Sequence, residues 1–433
     1  MQVVVLDGSA AEDEVGQQIR QTLLDRCAVQ GYTVQTFTLR SCKIGNCAGD
    51  FFCWVRSPGQ CMVADDNRTI AAAIVAADVM VYLTPITFGG YSSLLKQAVD
   101  HQIQNIAPFF TTLNGETHHK RRYERYPSFL AIGWQATPNP HTEAIFRHLV
   151  WRNSLNFYAP TTYCAIVTGM PPESELAVQM DAALTAITRG TTMMVPPLPT
   201  LPAGVIQHSP PRNALLLVGS PRMRKSTSYS LGEYLMQHLA ARGIATETVL
   251  LYPTLNNPLK LQALLAQLDA TDLIVLVFPL YIDTLPAPVI RWLELLAVHR
   301  RNHQVASNRL VAIGNCGFPE AHHLDNALAI CAEFAHTAGF TWQGGLALGG
   351  GEMVHGEPLA TMDGRVMAIR LALTMAAEAL AQGQPIPLLA QRRMRQRAIP
   401  VWLYRLMGSI GWRTQARRWG MQRQLYRRPY RTK

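Results

Sequence analysis

A turn rich in hydroxyls and cations is the clearest chemical signal in the chain. Gly219-Ser220-Pro221-Arg222-Met223-Arg224-Lys225-Ser226-Thr227-Ser228 follows the apolar run Ala214–Val218 and leads into an amphipathic stretch, Ser228–Arg242. At a helix start such a turn offers a phosphate dianion hydroxyls, amide N–H groups and three cations, and the helix dipole adds to them. It is not a Walker loop, because GxxxxGK[ST] is absent. An ordinary strand–turn–helix capped by Ser226 or Thr227 would use the same residues. Two later loops favour the ligand. Pro279-Leu280-Tyr281-Ile282-Asp283-Thr284-Leu285-Pro286 sets an aromatic beside a rigid turn, and Asn315-Cys316-Gly317-Phe318 supplies flexible backbone amides. A flat heteroaromatic ring needs such an apolar face with peptide donors at its edge.

A second constellation is Cys42-x4-Cys47-x5-Cys53-x7-Cys61, which holds four of the eight cysteines. Thiolates this close can bind a soft metal or an iron–sulfur cluster, form a redox-active pair, or belong to a structural loop. The uneven spacing argues for reduced thiols in a cytosolic setting over a disulfide scaffold. Cys27, Cys164 and Cys331 lie in apolar patterns and read as core thiols. His118-His119 are adjacent and lack the i, i+4 geometry of a helical metal pair. With six charges nearby, they read as a solvated or interface loop. Glu352-x-x-His355-x-Glu357 sits in a glycine-rich loop and is expected to rim the second-copy pocket rather than bind metal.

These residues are positioned by a fold that occurs twice. Leu6-Asp7-Gly8-Ser9 and Leu217-Val218-Gly219-Ser220 each follow an apolar run, and AADVMVYLTP (76–85) parallels ATDLIVLVFP (270–279). The first copy carries 17 more residues between its glycine and its proline, assigned to the cysteine-rich insert 42–61. Residues 195–212 contain six prolines and read as a semi-rigid linker. The expected organisation is a domain over 1–192, a linker over 193–211, a domain over 212–388 and a basic amphipathic tail over 389–433.

Strands are expected at 2–6, 33–38, 78–84, 128–134 and 163–168, and again at 213–218, 246–251, 272–278, 309–314 and 344–348. Continuous apolar runs such as LIVLVF suit strands buried on both faces of a parallel sheet. Five βα units per copy suit two doubly wound, flavodoxin-like α/β sheets, with ligands at the carboxyl ends of the strands.

Composition narrows the function classes. The chain has 433 residues, 48% of them hydrophobic and only 16% charged, which excludes a largely disordered protein. The net charge of +10 is concentrated at one end. Residues 391–433 hold twelve arginines and Lys433 with no acid, so the other 390 residues sum to −3. A uniformly basic nucleic-acid binder is thereby disfavoured. The best apolar run, Leu273–Ile282, has ten residues and includes Pro279, against about 20 needed to span a bilayer. The N-terminal MQVVVLDGS lacks the features of a signal peptide.

GSPRxxxSTS, PLYxxxLP and NCGFPE, in that order, resemble the NAD(P)H-dependent FMN reductase branch of flavodoxin-like proteins, here in tandem. The resemblance implies that Ser220, Arg222, Ser226, Thr227 and Ser228 hold the FMN phosphate. Pro279, Leu280 and Tyr281 would then flank the isoalloxazine, and Asn315, Cys316 and Gly317 would approach its edge. It implies an oxidoreductase in which NAD(P)H reduces FMN and the flavin reduces an acceptor such as a quinone or other small electrophile. In such a family the flavin carries the chemistry and no catalytic side chain is assigned. The alternatives are an electron carrier without its own NAD(P)H site, or a non-catalytic scaffold or sensor on a retired flavin fold. The first copy departs from the pattern, because Glu12, Asp13 and Glu14 stand where a phosphate would sit. Its loop Thr84–Ser93 could line a pocket or simply cap the following helix. The cysteine insert, ending at Asp65-Asp66, resembles that of iron–sulfur flavoproteins. Asp50 there replaces an expected thiolate, so Cys47, Cys53 and Cys61, with Cys42 as a fourth, are metal candidates and a cluster is disfavoured.

The tail interleaves Val401, Trp402, Leu403, Tyr404, Leu406, Met407, Ile410 and Trp412 with Arg405, Arg413, Arg417 and Arg418. Subunit or inter-domain packing, a membrane surface and nucleic acid all suit this composition, in that order of preference. A homo-oligomer is expected, with a redox partner or small acceptor. The location is expected to be cytoplasmic, or peripheral at the inner membrane surface.

Overall fold

Val3, Val4, Val5 and Leu6 are all buried, because the strand they form lies between neighbours in a sheet covered on both faces. The computed structural model describes residues 1–191, 193–199, 208–303 and 308–431. Of the linker expected over 193–211, residues 200–207 therefore lie outside the described residues. The chain divides into two units, one formed by Met1–Leu198 with Trp402–Lys433, the other by Pro199–Val401.

The first unit contains β1 (Gln2–Asp7), β2 (Thr33–Thr38), β3 (Val79–Pro85), β4 (Ile106–Leu113), β5 (Glu116–Arg121), β6 (Ser128–Gln135) and β7 (Thr162–Thr168). Five of these form a parallel sheet in the order β2-β1-β3-β6-β7. The second unit has β8 (Asn213–Val218), β9 (Ala245–Leu250), β10 (Leu273–Pro279), β11 (Arg309–Asn315) and β12 (Thr341–Leu348), in the order β12-β11-β10-β8-β9. Counted within each copy, both orders are 2-1-3-4-5, the flavodoxin-like arrangement. The switch point lies between the first and third strands, and all ten strands expected from sequence are present.

The repeated small residues have a shared cause. A Cβ on Gly8 would lie 2.7 Å from the Leu95 Cβ, and one on Gly219 would lie 2.6 Å from a Val289 methyl. Each glycine lets the loop after strand one press against the helix after strand three (Ser93–Asp100 and Ala287–Asn302). Each also donates its N–H to a strand-three carbonyl, Leu83 at 2.8 Å and Val277 at 2.7 Å.

The repeated aspartates clip the same strands from the other end. The Asp78 carboxylate accepts from the Gln2 N–H, and Asp272 from the Arg212 N–H, both at 2.8 Å. Both carboxyls titrate below the usual aspartate range. For Asp78 the Gln2 N–H is the main cause, aided by Arg125. For Asp272 burial pushes upward, but the Arg212 N–H and guanidinium outweigh it. A carboxyl whose pKa is lowered by folding stabilises the fold above its unfolded pKa of about 4, and that contribution fades as pH falls through the lower folded value. D78N and D272N are expected to lose stability at neutral pH and to differ less from the parent protein at pH 3. Urea midpoints at both pH values check this.

One expectation is overturned. The segment around His118 is no solvated loop but half of an antiparallel hairpin, β4–β5, turned by Asn114 and Gly115 at φ +50° and +82°. His118 is buried, with Nε2 2.7 Å from Glu116 and Nδ1 2.9 Å from the Asn156 side chain. The same Glu116 oxygen takes Arg152 at 2.5 Å. His119 packs its ring against Trp54 and Phe110.

The tail supplies the rest of this second core. Residues 402–431, including most of the helix Val401–Arg417, return to the first unit and cover the hairpin and the cysteine insert. Ala416, Leu425 and Trp412 join Trp54, Val55, Ile106, Phe109, Tyr123 and Tyr126. Trp412 meets Phe51 and Trp54 edge-on at 5.3 and 5.2 Å. Arg122, wholly buried, donates to the carbonyls of Ile106, Leu425 and Arg427. No helix among the described residues is long and apolar enough to cross a membrane.

Candidate functional site

In the second unit, strand β8 ends at Val218 and the chain turns through Gly219–Lys225 into the helix Thr227–Ala240. Ser226 caps that helix: its hydroxyl accepts from the Tyr229 N–H at 3.1 Å and donates to the Met223 carbonyl at 2.6 Å. Arg222, Arg224 and Lys225 are exposed around this helix start, and no carboxylate belongs to the loop. An anion there meets the positive end of the helix dipole and three cations. Ser220 is buried at the base of the loop. Thr227 points its hydroxyl at the Gly351 carbonyl, 2.9 Å away. Ser228 is also buried and accepts from the Asn315 side chain at 2.7 Å, so it ties this helix to the end of strand β11.

The other two loops converge on the same strand ends. Asn315 donates to the Phe278 carbonyl at 3.0 Å, and its own carbonyl accepts from the Leu280 N–H at 2.8 Å. Pro279, Leu280 and Tyr281 are half-buried. Tyr281 and Thr284 bridge a tight turn in which Ile282 and Asp283 take φ of +44° and +60°. A β-branched residue in that region is strained. The first copy has the same turn at Thr87–Gly90, where Phe88 and Gly89 take the positive φ. Gly317 is exposed with open space beside it.

Cys316 differs from its neighbours. It is buried, its thiol directed to the Phe318 and Glu320 carbonyls, and burial pushes its pKa up to about 12. It is a neutral packing group at physiological pH, shielded from reagents by its burial. Iodoacetamide labelling followed by peptide mapping should leave Cys316 unmodified in the native protein.

The loop after β12 closes over the helix start. A Cβ on Gly356 would lie 2.5 Å from the Lys225 carbonyl, and exposed His355 faces half-buried Glu352 at 3.6 Å. Sequence reasoning placed this loop at the rim but gave no sign of the Thr227–Gly351 contact, which joins residues 124 positions apart.

The equivalent place in the first unit is occupied by the chain's own carboxylates. Asp7, fully buried, accepts from the Ser9 N–H and hydroxyl at 3.0 and 2.6 Å and takes Arg20 and Arg40 at 3.3 Å. Asp13 caps the helix Glu14–Val29 through the Gly16 N–H at 2.9 Å and accepts the Trp134 indole N–H at 3.0 Å. The Arg20 and Arg40 guanidiniums are thereby committed to Asp7, and the helix start already has its anion in Asp13.

The cysteine insert is held by its two terminal acids: Asp65 accepts from the Gly45 N–H and Asp66 from the Lys43 N–H. Asp50 caps the short turn that follows it, through the Phe52 N–H at 3.0 Å. Cys42, Cys47, Cys53 and Cys61 are half-buried free thiols. Burial pushes Cys47 up to about 12 and Cys53 well above the usual thiol range. Cys61 goes the other way. Burial raises it, yet the hydrogen bond and charge of His101 outweigh that and leave it lowered. His101 is fixed by its Nε2, which lies 2.8 Å from the Gly45 carbonyl. Nothing in the insert's own sequence pointed to His101, forty residues on. Cys27, Cys164 and Cys331 are buried in the cores, and burial raises all three.

Residues 1–115 match the family described as NADPH-dependent FMN reductase, and residues 212–329 match the one described as Flavodoxin-like fold. No curated protein matches the chain. Similar solved structures include an NAD(P)H:quinone oxidoreductase from Methanothermobacter marburgensis, at 12% identity and a TM-score of 0.35, covering 45% of this chain and 98% of that one. Another is an FMN-dependent NADH-azoreductase from Bacillus anthracis str. Ames Ancestor, at 13% identity and a TM-score of 0.30, covering 39% and 99%. The chain is a tandem duplication of the flavodoxin-like fold, with residues 1–115 similar to the NADPH-dependent FMN reductases.

Proposed function

We propose that the chain is an NAD(P)H-dependent FMN oxidoreductase with one flavin, held by the second unit. The observation that carries this reading is the contrast between the two helix starts. The one at Thr227 follows a loop with Arg222, Arg224 and Lys225 and no acid of its own, whereas the one at Glu14 is capped by Asp13. The second-unit residues therefore fit an FMN phosphate, and the first-unit residues do not.

In this reading the three cations and the Ser220 hydroxyl bind the phosphate, while Ser226 and the Thr227–Gly351 hydrogen bond keep the helix start in place. Ser228 acts through Asn315, fixing the loop after β11 against the phosphate loop. Pro279, Leu280 and Tyr281 form the apolar wall, the Tyr281–Thr284 turn holds that wall rigid, and the open backbone at Gly317 lets the ring edge approach peptide donors. FMN bound there supplies hydride and electron exchange between a nicotinamide and an acceptor of quinone-like chemistry. The test is oxidation of NADH and of NADPH at 340 nm by FMN-loaded protein with a soluble quinone. Quinone-dependent turnover with either nucleotide supports the reading. Protein that holds FMN yet turns over neither is an electron carrier without its own nicotinamide site.

A further inference from the structure

The helix Val401–Arg417 is apolar on two faces. Its inner face, with Tyr404, Gly408, Trp412 and Ala416 four residues apart, is seated on the first unit. Tyr404 lies 5.4 Å from the Phe110 ring, a Cβ on Gly408 would lie 2.5 Å from that ring, and Trp412 meets Trp54. The outer face repeats the spacing with Trp402, Leu406 and Ile410, flanked by Met407, and these four are 68, 52, 57 and 56% exposed. Arg417 continues the same stripe, while the Arg413 guanidinium lies over the Phe109 ring at 5.1 Å. Beyond it lie exposed Trp419 and Tyr426 among Arg418, Arg423, Arg427 and Arg431.

We propose that this outer face lies on a bilayer surface carrying anionic headgroups, with Trp402, Leu406, Met407 and Ile410 in the acyl boundary and the arginines at the phosphates. Charge selects this occupant. Residues 391–433 hold thirteen cations and no acid, so a second copy of the face would set arginine against arginine. Of the four, Trp402 alone offers a π-face on which a base could stack, and the Trp419 ring is already covered by Arg56 at 4.5 Å. Aliphatic side chains and a tryptophan beside arginines are the composition of an interfacial helix. The helix is already formed and fixed by its inner face, so docking orders little further chain. The proposal does not depend on the flavin reading.

The test is co-sedimentation of the full chain with vesicles of phosphatidylcholine alone and of phosphatidylcholine mixed with phosphatidylglycerol. Anionic vesicles are expected to bind at least ~10-fold more protein, and W402E/I410E to lower that binding at least ~10-fold with no change in thermal midpoint. R417E/R418E should lower it as well, and 0.5 M salt should weaken binding by the parent chain. Absence of binding to anionic vesicles overturns the proposal. So does W402E/I410E binding as well as the parent, because charge alone would then account for the association. Tighter binding to single-stranded RNA, lost in the same W402E/I410E variant, would assign the face to nucleic acid instead.

Discussion

The R222E/R224E/K225E variant is expected to bind FMN at least ~100-fold more weakly than the parent chain, with little change in the stability of the flavin-free protein. All three side chains are exposed, so their reversal disturbs no core. Each charge-assisted contact to a phosphate contributes roughly 1.5–3 kcal/mol, and about 1.4 kcal/mol is tenfold in affinity. Losing even two contacts reaches the stated effect, before any repulsion between glutamate and phosphate is counted. Fluorescence quenching of added FMN measures it. The matched control is E12K/E14K in the first unit, which removes acids near the other helix start but leaves Asp7 and Asp13 in place. That control is expected to leave the number of flavins bound unchanged.

Ending the chain after Val401 is expected to destabilise the first unit strongly and to leave the second unit's flavin affinity in place. The lost segment covers Trp54, Phe109, Tyr123 and Tyr126 and supplies two of the three carbonyls that receive the buried Arg122 guanidinium. Removing partners from a buried charge is costly beyond the loss of apolar contact, by about 3–5 kcal/mol when the whole pairing goes. A single change, W412A, opens a hole between Phe51 and Trp54 and is expected to cost about 2–4 kcal/mol. Both variants should also speed alkylation of Cys53, whose thiol is held neutral by the burial that the tail completes. Urea unfolding and peptide-mapped alkylation read the two effects separately.

The parallel sheets were legible because each strand is a short apolar run that carries its own signal. Asp78 and Asp272 then showed that the two copies share a register, although their clip to the start of the first strand became visible only in three dimensions. The β4–β5 hairpin was misread because Thr117, His118, His119 and Lys120 look solvated. His118 is buried only because Glu116 and Asn156 satisfy its ring, and Asn156 is 38 residues away. The local clue was Asn114-Gly115, the commonest pair for a two-residue hairpin turn. At the site, the loops were legible but the directions of their side chains were not. Ser228 and Cys316 face inward because Asn315 and the carbonyls of Phe318 and Glu320 claim them. The acids at 12–14 signalled that the first copy had changed, but not that Asp7, hidden at the end of an apolar strand, engages the Arg20 and Arg40 guanidiniums there. Phe51, Phe52 and Trp54 in the cysteine insert are covered by residues of the tail. No local pattern said that the cover lies more than 350 residues downstream.

Flavin released by heat from the purified chain, after saturation with FMN and removal of the excess, tests the central claim most directly when it is quantified against protein concentration. One FMN per chain, falling to none in R222E/R224E/K225E and unchanged in E12K/E14K, is the result that the two helix starts demand. No retained flavin, or flavin that persists when the second-unit cations are reversed, would contradict it.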